Sequence, residues 1–187
     1  MIWKIGAVIG GCVGVLLTIA AGFLVGDIYV LQLDRQARIL DAMPPGLRTA
    51  YLDNLFSNPS PDCNRCYPQM VGALQAMRDD LVRGGDGYSY DHSKLAPLIA
   101  GRMDAYNEPV PVVACDVMMF AHQRRAMAAL VRMAATDRSS VEACVLSARW
   151  HSHDLHPRLY PAVRQSVLAT PELKPFFLEP LQPAEQH

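Results

Sequence analysis

The sequence predicts an all-α protein: a single N-terminal transmembrane helix, then a disulfide-stapled helical bundle on the periplasmic side of a bacterial inner membrane. Three observations predict it. Residues Ile5 to Val25 form one uncharged run of twenty-one residues, preceded only by Met-Ile-Trp-Lys and closed by Gly26-Asp27. Beyond that run, apolar residues recur at helical spacing, and no alternation of period two appears. Four cysteines, Cys63, Cys66, Cys115 and Cys144, lie outside the run, an even number that suits two disulfides in an exported domain.

The apolar run is long enough to cross a bilayer, since about 20 residues at about 1.5 Å each span a hydrocarbon core about 30 Å thick. Lipid offers no partners to free backbone groups, so the segment has to be helical. Trp3 and Tyr29 stand near its two ends, where aromatic rings favour the interface. A cleaved signal peptide is the rival reading. Its apolar core would run about 7–15 residues, shorter than this one, and the small residues Ala20, Ala21 and Gly22 make no clear cleavage site. Cys12 comes too early for a lipoprotein. Gly6, Gly10 and Gly14 are four apart, as are Gly22 and Gly26, so one face forms a groove in which a second membrane helix can approach closely. The Lys and Arg count is nearly balanced across the span, and cysteine usage places the bulk of the chain in the oxidising compartment.

The boundaries expected are an anchor over 1–26, a stalk helix over 27–43, a soluble helical domain over 44–169 and a proline-rich tail over 170–187. The chain has 187 residues and a net charge of −1. What remains after the anchor suffices for one core, and the dispersed, balanced charge excludes a nucleic-acid role. Arginine outnumbers lysine 14 to 3, a bias of GC-rich bacterial genomes.

Along the chain, the stalk continues to Pro44-Pro45-Gly46, which stops it. A short helix follows from Gly46 to Phe56, with Leu47, Tyr51, Leu52 and Leu55 on one face. Residues Ser57 to Pro68 read as a loop. The next helix, Pro68 to Arg83, has the stripe Val71, Leu74, Met77 and Leu81 and ends at Gly84-Gly85-Asp86-Gly87. Ser93 is placed to cap a helix with the stripe Leu95, Leu98, Ile99, Met103 and Tyr106. The longest soluble helix is expected over Val112 to Ala135, with the turn Val117 to Ala121 apolar all round and therefore central. Ser139 and Glu142 form a capping box for a helix to His151. Pro157 to Ala169 is a last helix, and the Phe176-Phe177-Leu178 cluster is expected along the surface or on a partner.

Candidate chemistry is sparse. Cys63-Asn64-Arg65-Cys66 lacks the strand–helix context of a thiol-redox centre, and Tyr67 stands where haem attachment needs histidine. If Val112–Ala135 and Ser139–His151 form a hairpin, Cys144 lies opposite residue 130, leaving Cys115 about 20 Å away. A disulfide needs Cα atoms within about 7 Å, so Cys115–Cys144 is disfavoured. Cys63 and Cys66 are then each expected to clamp the loop to one of the later helices. His151, His153 and His156 form a cluster open to a metal reading, with His122 and the cysteines as possible further ligands. The spacing H-x₃-H is absent, and cations at a helix end have a simpler electrostatic explanation. No phosphate loop, nucleophile elbow or dinucleotide fingerprint is present.

These readings lead to a non-catalytic, membrane-anchored accessory or assembly subunit of a larger inner-membrane complex, of respiratory or secretion type, with no cofactor. Its partners would be the lipid bilayer and a membrane protein, met through the glycine-ridged helix and the C-terminal tail. The alternative is a periplasmic metal-binding or thiol-redox protein using His151, His153 and His156 with the Cys63–Cys66 pair.

Overall fold

The computed structural model describes residues 35–57, 66–101, 103 and 109–178. The expected anchor, its glycines 6, 10, 14, 22 and 26, Cys63 and the tail from residue 179 lie outside the described residues, as does the side chain of Cys66. No helix among the described residues is long and apolar enough to cross a membrane. Every regular element among them is helical, as the missing period-two pattern predicts.

Helix α1 covers 35–42 and α2 covers Pro45–Ser57. Helix α3 covers Cys66–Val82. A 3₁₀ turn at His92–Leu95 leads into the short α4, Ala96–Ile99. Then come α5 (Pro109–Phe120), α6 (Arg124–Ala134) and α7 (Arg138–Trp150). A turn of π-helix at His151–Leu155 follows, then α8 (Tyr160–Leu168) and α9 (Lys174–Leu178).

Helix α5 is the axis of the bundle. Val113, Cys115, Val117, Met118, Met119 and Phe120 are all buried, because apolar residues lie on every side of the helix and it has to be wrapped. Helices α3, α4 and α7 pack against it. The stripe Val71, Leu74, Met77 and Leu81 faces this core as predicted. Gly84 ends the helix with φ +90°, the left-handed conformation that glycine adopts without a Cβ clash. Leu95, Leu98, Ile99 and Met103 are also buried as expected.

Several expectations are corrected. The single helix expected over Val112–Ala135 is two. Residues Ala121 to Gln123 break it, with His122 at φ +53°. The break is tertiary: Gln123 Nε2 donates to the Tyr90 carbonyl at 3.1 Å and its Oε1 accepts from His92 N at 3.2 Å. Once the chain turns there, α7 lies beside α5 as well as α6, and Cys115 and Cys144 form the disulfide that a straight helix would have forbidden, with Cα atoms 5.6 Å apart. Neither of these cysteines is therefore left to clamp the Cys63–Cys66 loop.

The other corrections concern caps and surfaces. Asp137, not Ser139, caps α7: its carboxylate accepts from Ser140 N at 3.2 Å and from Gly101 N at 2.6 Å. Asp91, not Ser93, caps the 3₁₀ turn, accepting from Ser93 N at 3.2 Å. A carboxylate satisfies free N–H groups at a helix start and suits the dipole there. Leu47 is exposed, and Leu52 and Phe56 carry the inner face of α2. Phe176 and Phe177 are buried in the core, so the phenylalanines of the expected tail are structural. Arg149 fixes this end, donating to the Phe177 carbonyl at 2.8 Å.

The end of the expected stalk is also part of the domain. Leu40 is fully buried and Gln36 nearly so, with Tyr51 donating to Gln36 Oε1 at 2.7 Å. The loop after α3 reaches back to both first helices: the Tyr88 hydroxyl donates to Asp41 at 2.9 Å, and that of Tyr90 to Asp53 at 3.0 Å.

Candidate functional site

The densest polar grouping among the buried helices centres on Asp116. It sits on α5, the most enclosed helix, and its side chain is fully buried. A buried carboxylate is costly unless hydrogen-bonded and paired. Two elements supply that pairing. His151, the first residue of the π-turn, has Nδ1 2.8 Å from Asp116 Oδ1. Arg78, on α3, has Nη1 3.6 Å from Oδ2, an ion-pair distance too long for a hydrogen bond, so Oδ2 has charge pairing but no hydrogen-bond partner among the described residues.

The π-turn makes the first contact possible. One extra residue per turn, marked by His156 N bonding to the His151 carbonyl at 2.9 Å, lets the chain leave α7 while still held over α5. Such turns recur where a helix is locally re-aimed. Trp150 lies against the His151 ring at 5.0 Å between centroids. His156 meets the Phe120 ring edge-on at 5.8 Å. Burial lowers the His156 pKa, and the Arg78 cation lowers it further against the opposing pull of Asp116 and Asp79.

A carboxylate only accepts, so Nδ1 of His151 is the donor to Asp116 and Nε2 is the second ring position. A histidine oriented by a buried aspartate is half of an acid–base arrangement. The other half is a nucleophile in reach of the ring, and no serine, threonine or cysteine side chain meets His151 among the described residues. The geometry is that of a polar clamp joining α3, α5 and the π-turn.

The three clustered histidines are not brought to one point. His151 turns inward to Asp116, His153 pairs at the surface with Asp154 at 2.6 Å and stands edge-on to Tyr160, and His156 packs on Phe120. Among the described residues no group of three or more His, Cys, Asp or Glu side chains is placed to hold a metal ion. Cys115 and Cys144 are consumed by their mutual disulfide.

A second polar feature lies at the α5–α6 break. His122 Nδ1 is 3.2 Å from Ser166 Oγ on α8, and burial lowers the histidine's pKa. The pair lines a groove between α6 and α8. Among the described residues no carboxylate orients the ring there, so the contact lacks the third member of a nucleophilic triad.

Asp116 and Arg78 were not singled out from the sequence. The signal was available for the first: Asp116 is the one charged residue between Pro109 and Gln123, and an acid inside an apolar run implies buried partners. Nothing in the spacing identifies Arg78 as one of them. Comparison with protein-family models, with curated proteins and with solved structures finds no match to this chain.

Proposed function

We propose that this chain is a membrane-anchored accessory or assembly subunit, non-catalytic in itself, whose helical domain is held close to the bilayer to engage a larger complex. The observation that carries the reading is the short connection between an apolar run and a packed core. The uncharged run ends at Val25, and by Gln36 and Leu40 the chain is already buried in the domain. A span over Ile5–Val25 would leave ten residues before Gln36, at most about 35 Å of chain, which tethers the domain near the lipid.

Three further features support the proposal. Cys115 and Cys144 form a fully buried disulfide, which accords with an oxidising compartment such as the periplasm. Asp116, which is fully buried, is held with the partly exposed Arg78 and His151 as a clamp joining α3, α5 and the π-turn. Trp150 and Leu155 bracket the π-turn as exposed apolar residues, and tryptophan is among the residue types enriched where one protein meets another.

The test is mild-detergent extraction of native membranes, followed by native electrophoresis and mass spectrometry of the band. Co-migration with larger membrane proteins is the expected result, weakened by Gly10→Leu with Gly14→Leu. Migration alone, or as a homodimer unaffected by those substitutions, would overturn the reading. Truncation after Thr170 is unsuitable as a probe of docking, since it removes Phe176 and Phe177 from the core.

A further inference from the structure

The groove between α6 and the end of α8 has a volume of about 670 Å³. Its two ends are cationic. Arg124 and Arg132 are both exposed, and among the described residues neither has a carboxylate partner. Their neighbour Arg125 differs, lying 3.5 Å from Asp91. No acidic residue lines the groove. Arg124 and Arg132 lie on one face of α6, two turns or about 12 Å apart. Between them Ala128 and Val131 on α6 are small and apolar, while the facing wall is mixed, with Ser166 on α8, Ala169 and Thr170 just past its end, and His122 from the α5–α6 break.

We infer that this groove docks an amphipathic helix of a partner protein, one that presents two acidic side chains two turns apart with apolar residues between them. Charge complementarity selects the occupant. A fatty acid or single-headed lipid has one anionic end, and its methyl terminus would be driven against the second arginine. A nucleic acid or other polyanion would leave the alanine and valine floor against water. A helix with acids at both ends of an apolar stripe satisfies both cations and the floor at once. That the occupant is a protein rests on the accessory-subunit reading; the groove does not.

The experiment uses the full chain in detergent and a fluorescein-labelled helical peptide with two glutamates two turns apart and leucine and alanine between. A matched peptide carries lysines in place of the glutamates. Fluorescence anisotropy should show binding of the glutamate peptide, weakening with salt, and about tenfold weaker or no binding of the lysine peptide. The double variant Arg124→Glu with Arg132→Glu should invert the preference. Both positions are exposed, so its unfolding midpoint should match the parent's and exclude a folding artefact.

Failure of the glutamate peptide to bind, equal binding of both, or binding that ignores the double variant would overturn the proposal. So would displacement of the glutamate peptide by sub-micellar myristate alone, which would make the groove a lipid site. The titration needs no native membrane. A chain that inverts its peptide preference but migrates alone from membranes would sink the accessory reading and leave the groove standing, and the reverse pair of results would do the opposite.

Discussion

His151 Nδ1 lies 2.8 Å from Asp116 Oδ1, so the first residue of the π-turn is fastened to the most enclosed helix of the domain. Arg78 approaches the other oxygen at 3.6 Å. The exposures are unequal: the Asp116 side chain has no contact with solvent, whereas that of Arg78 is 24% accessible. Removing either partner should therefore have different costs. Arg78→Met strands a buried carboxylate with only one partner, and an expected loss of about 3 kcal/mol follows. Asp116→Asn leaves a partly hydrated guanidinium that also has Asp79 at 3.7 Å, for an expected loss of about 1–2 kcal/mol. Urea unfolding at neutral pH measures both. Equal costs, or the reverse order, would mean that the clamp does not hold the carboxylate as described.

The disulfide closes a loop between residues 29 apart in sequence. In the chain-entropy model such a link contributes about 3.5 kcal/mol. Cys115→Ala with Cys144→Ala should lower stability by about that amount, with a small addition for lost packing. Both cysteines are fully buried, so a reductant reaches the bond only after the helices open. Native protein in dithiothreitol should therefore lose the bond at a rate that tracks unfolding, measured by alkylation and mass spectrometry across a urea series. Rapid reduction of fully folded protein would contradict the burial of this pair.

What the sequence made legible divides at the point where local pattern hands over to tertiary contact. The stripe Val71, Leu74, Met77 and Leu81 was readable because its spacing is a property of one helix. The central position of Val117 to Phe120 was readable because no face there is polar. The Cys115–Cys144 pairing was not, because it depends on the break at His122, and that break carries no glycine or proline. It is set by Gln123 bonding to a loop some thirty residues earlier. The same distance hid the clamp: Asp116 carries only the local signal of an acid in an apolar run, and Arg78 and His151 are joined to it only by packing. His151 was noticed for its neighbours in sequence, His153 and His156, which turned out to have other partners.

Two glycines after α3 allow a controlled comparison. Both have positive φ, +90° at Gly84 and +66° at Gly87. A Cβ at Gly84 would meet open space, while one at Gly87 would lie 2.5 Å from Nε2 of the buried His92. Gly84→Ala incurs backbone strain alone, expected at about 1 kcal/mol. Gly87→Ala adds a steric clash with a ring that has nowhere to move, for a total of about 2–3 kcal/mol. Thermal unfolding of the two variants decides, and a Gly87→Ala protein no less stable than Gly84→Ala would show that the His92 ring can yield.

The pH dependence follows from His92. Its side chain is fully buried, Nε2 lies 3.3 Å from the Gly87 carbonyl, and Nδ1 is buried with no partner. Burial lowers its pKa, against the smaller opposing pull of Gln123, the Gly87 carbonyl and nearby carboxylates, because a charged ring there is cut off from solvent. Burial lowers those of His122 and His156 as well. An unfolded chain titrates its histidines near about 6.5, so between that value and the lowered folded values the unfolded state binds more protons. Stability then rises with pH in this window and is lost as pH falls below about 6.5. The acids with lowered pKa, Asp53, Asp86, Asp91 and Asp137, lose their contribution only below about 4, so the histidine limb stands apart. His92→Gln keeps an N–H donor for the Gly87 carbonyl and removes the ionisable ring. Its stability should fall less steeply than the parent's between pH 7 and about 5, in urea titrations at each pH. A parent protein that gains stability on acidification, or a variant with the parent's slope, would remove His92 as the source of this limb.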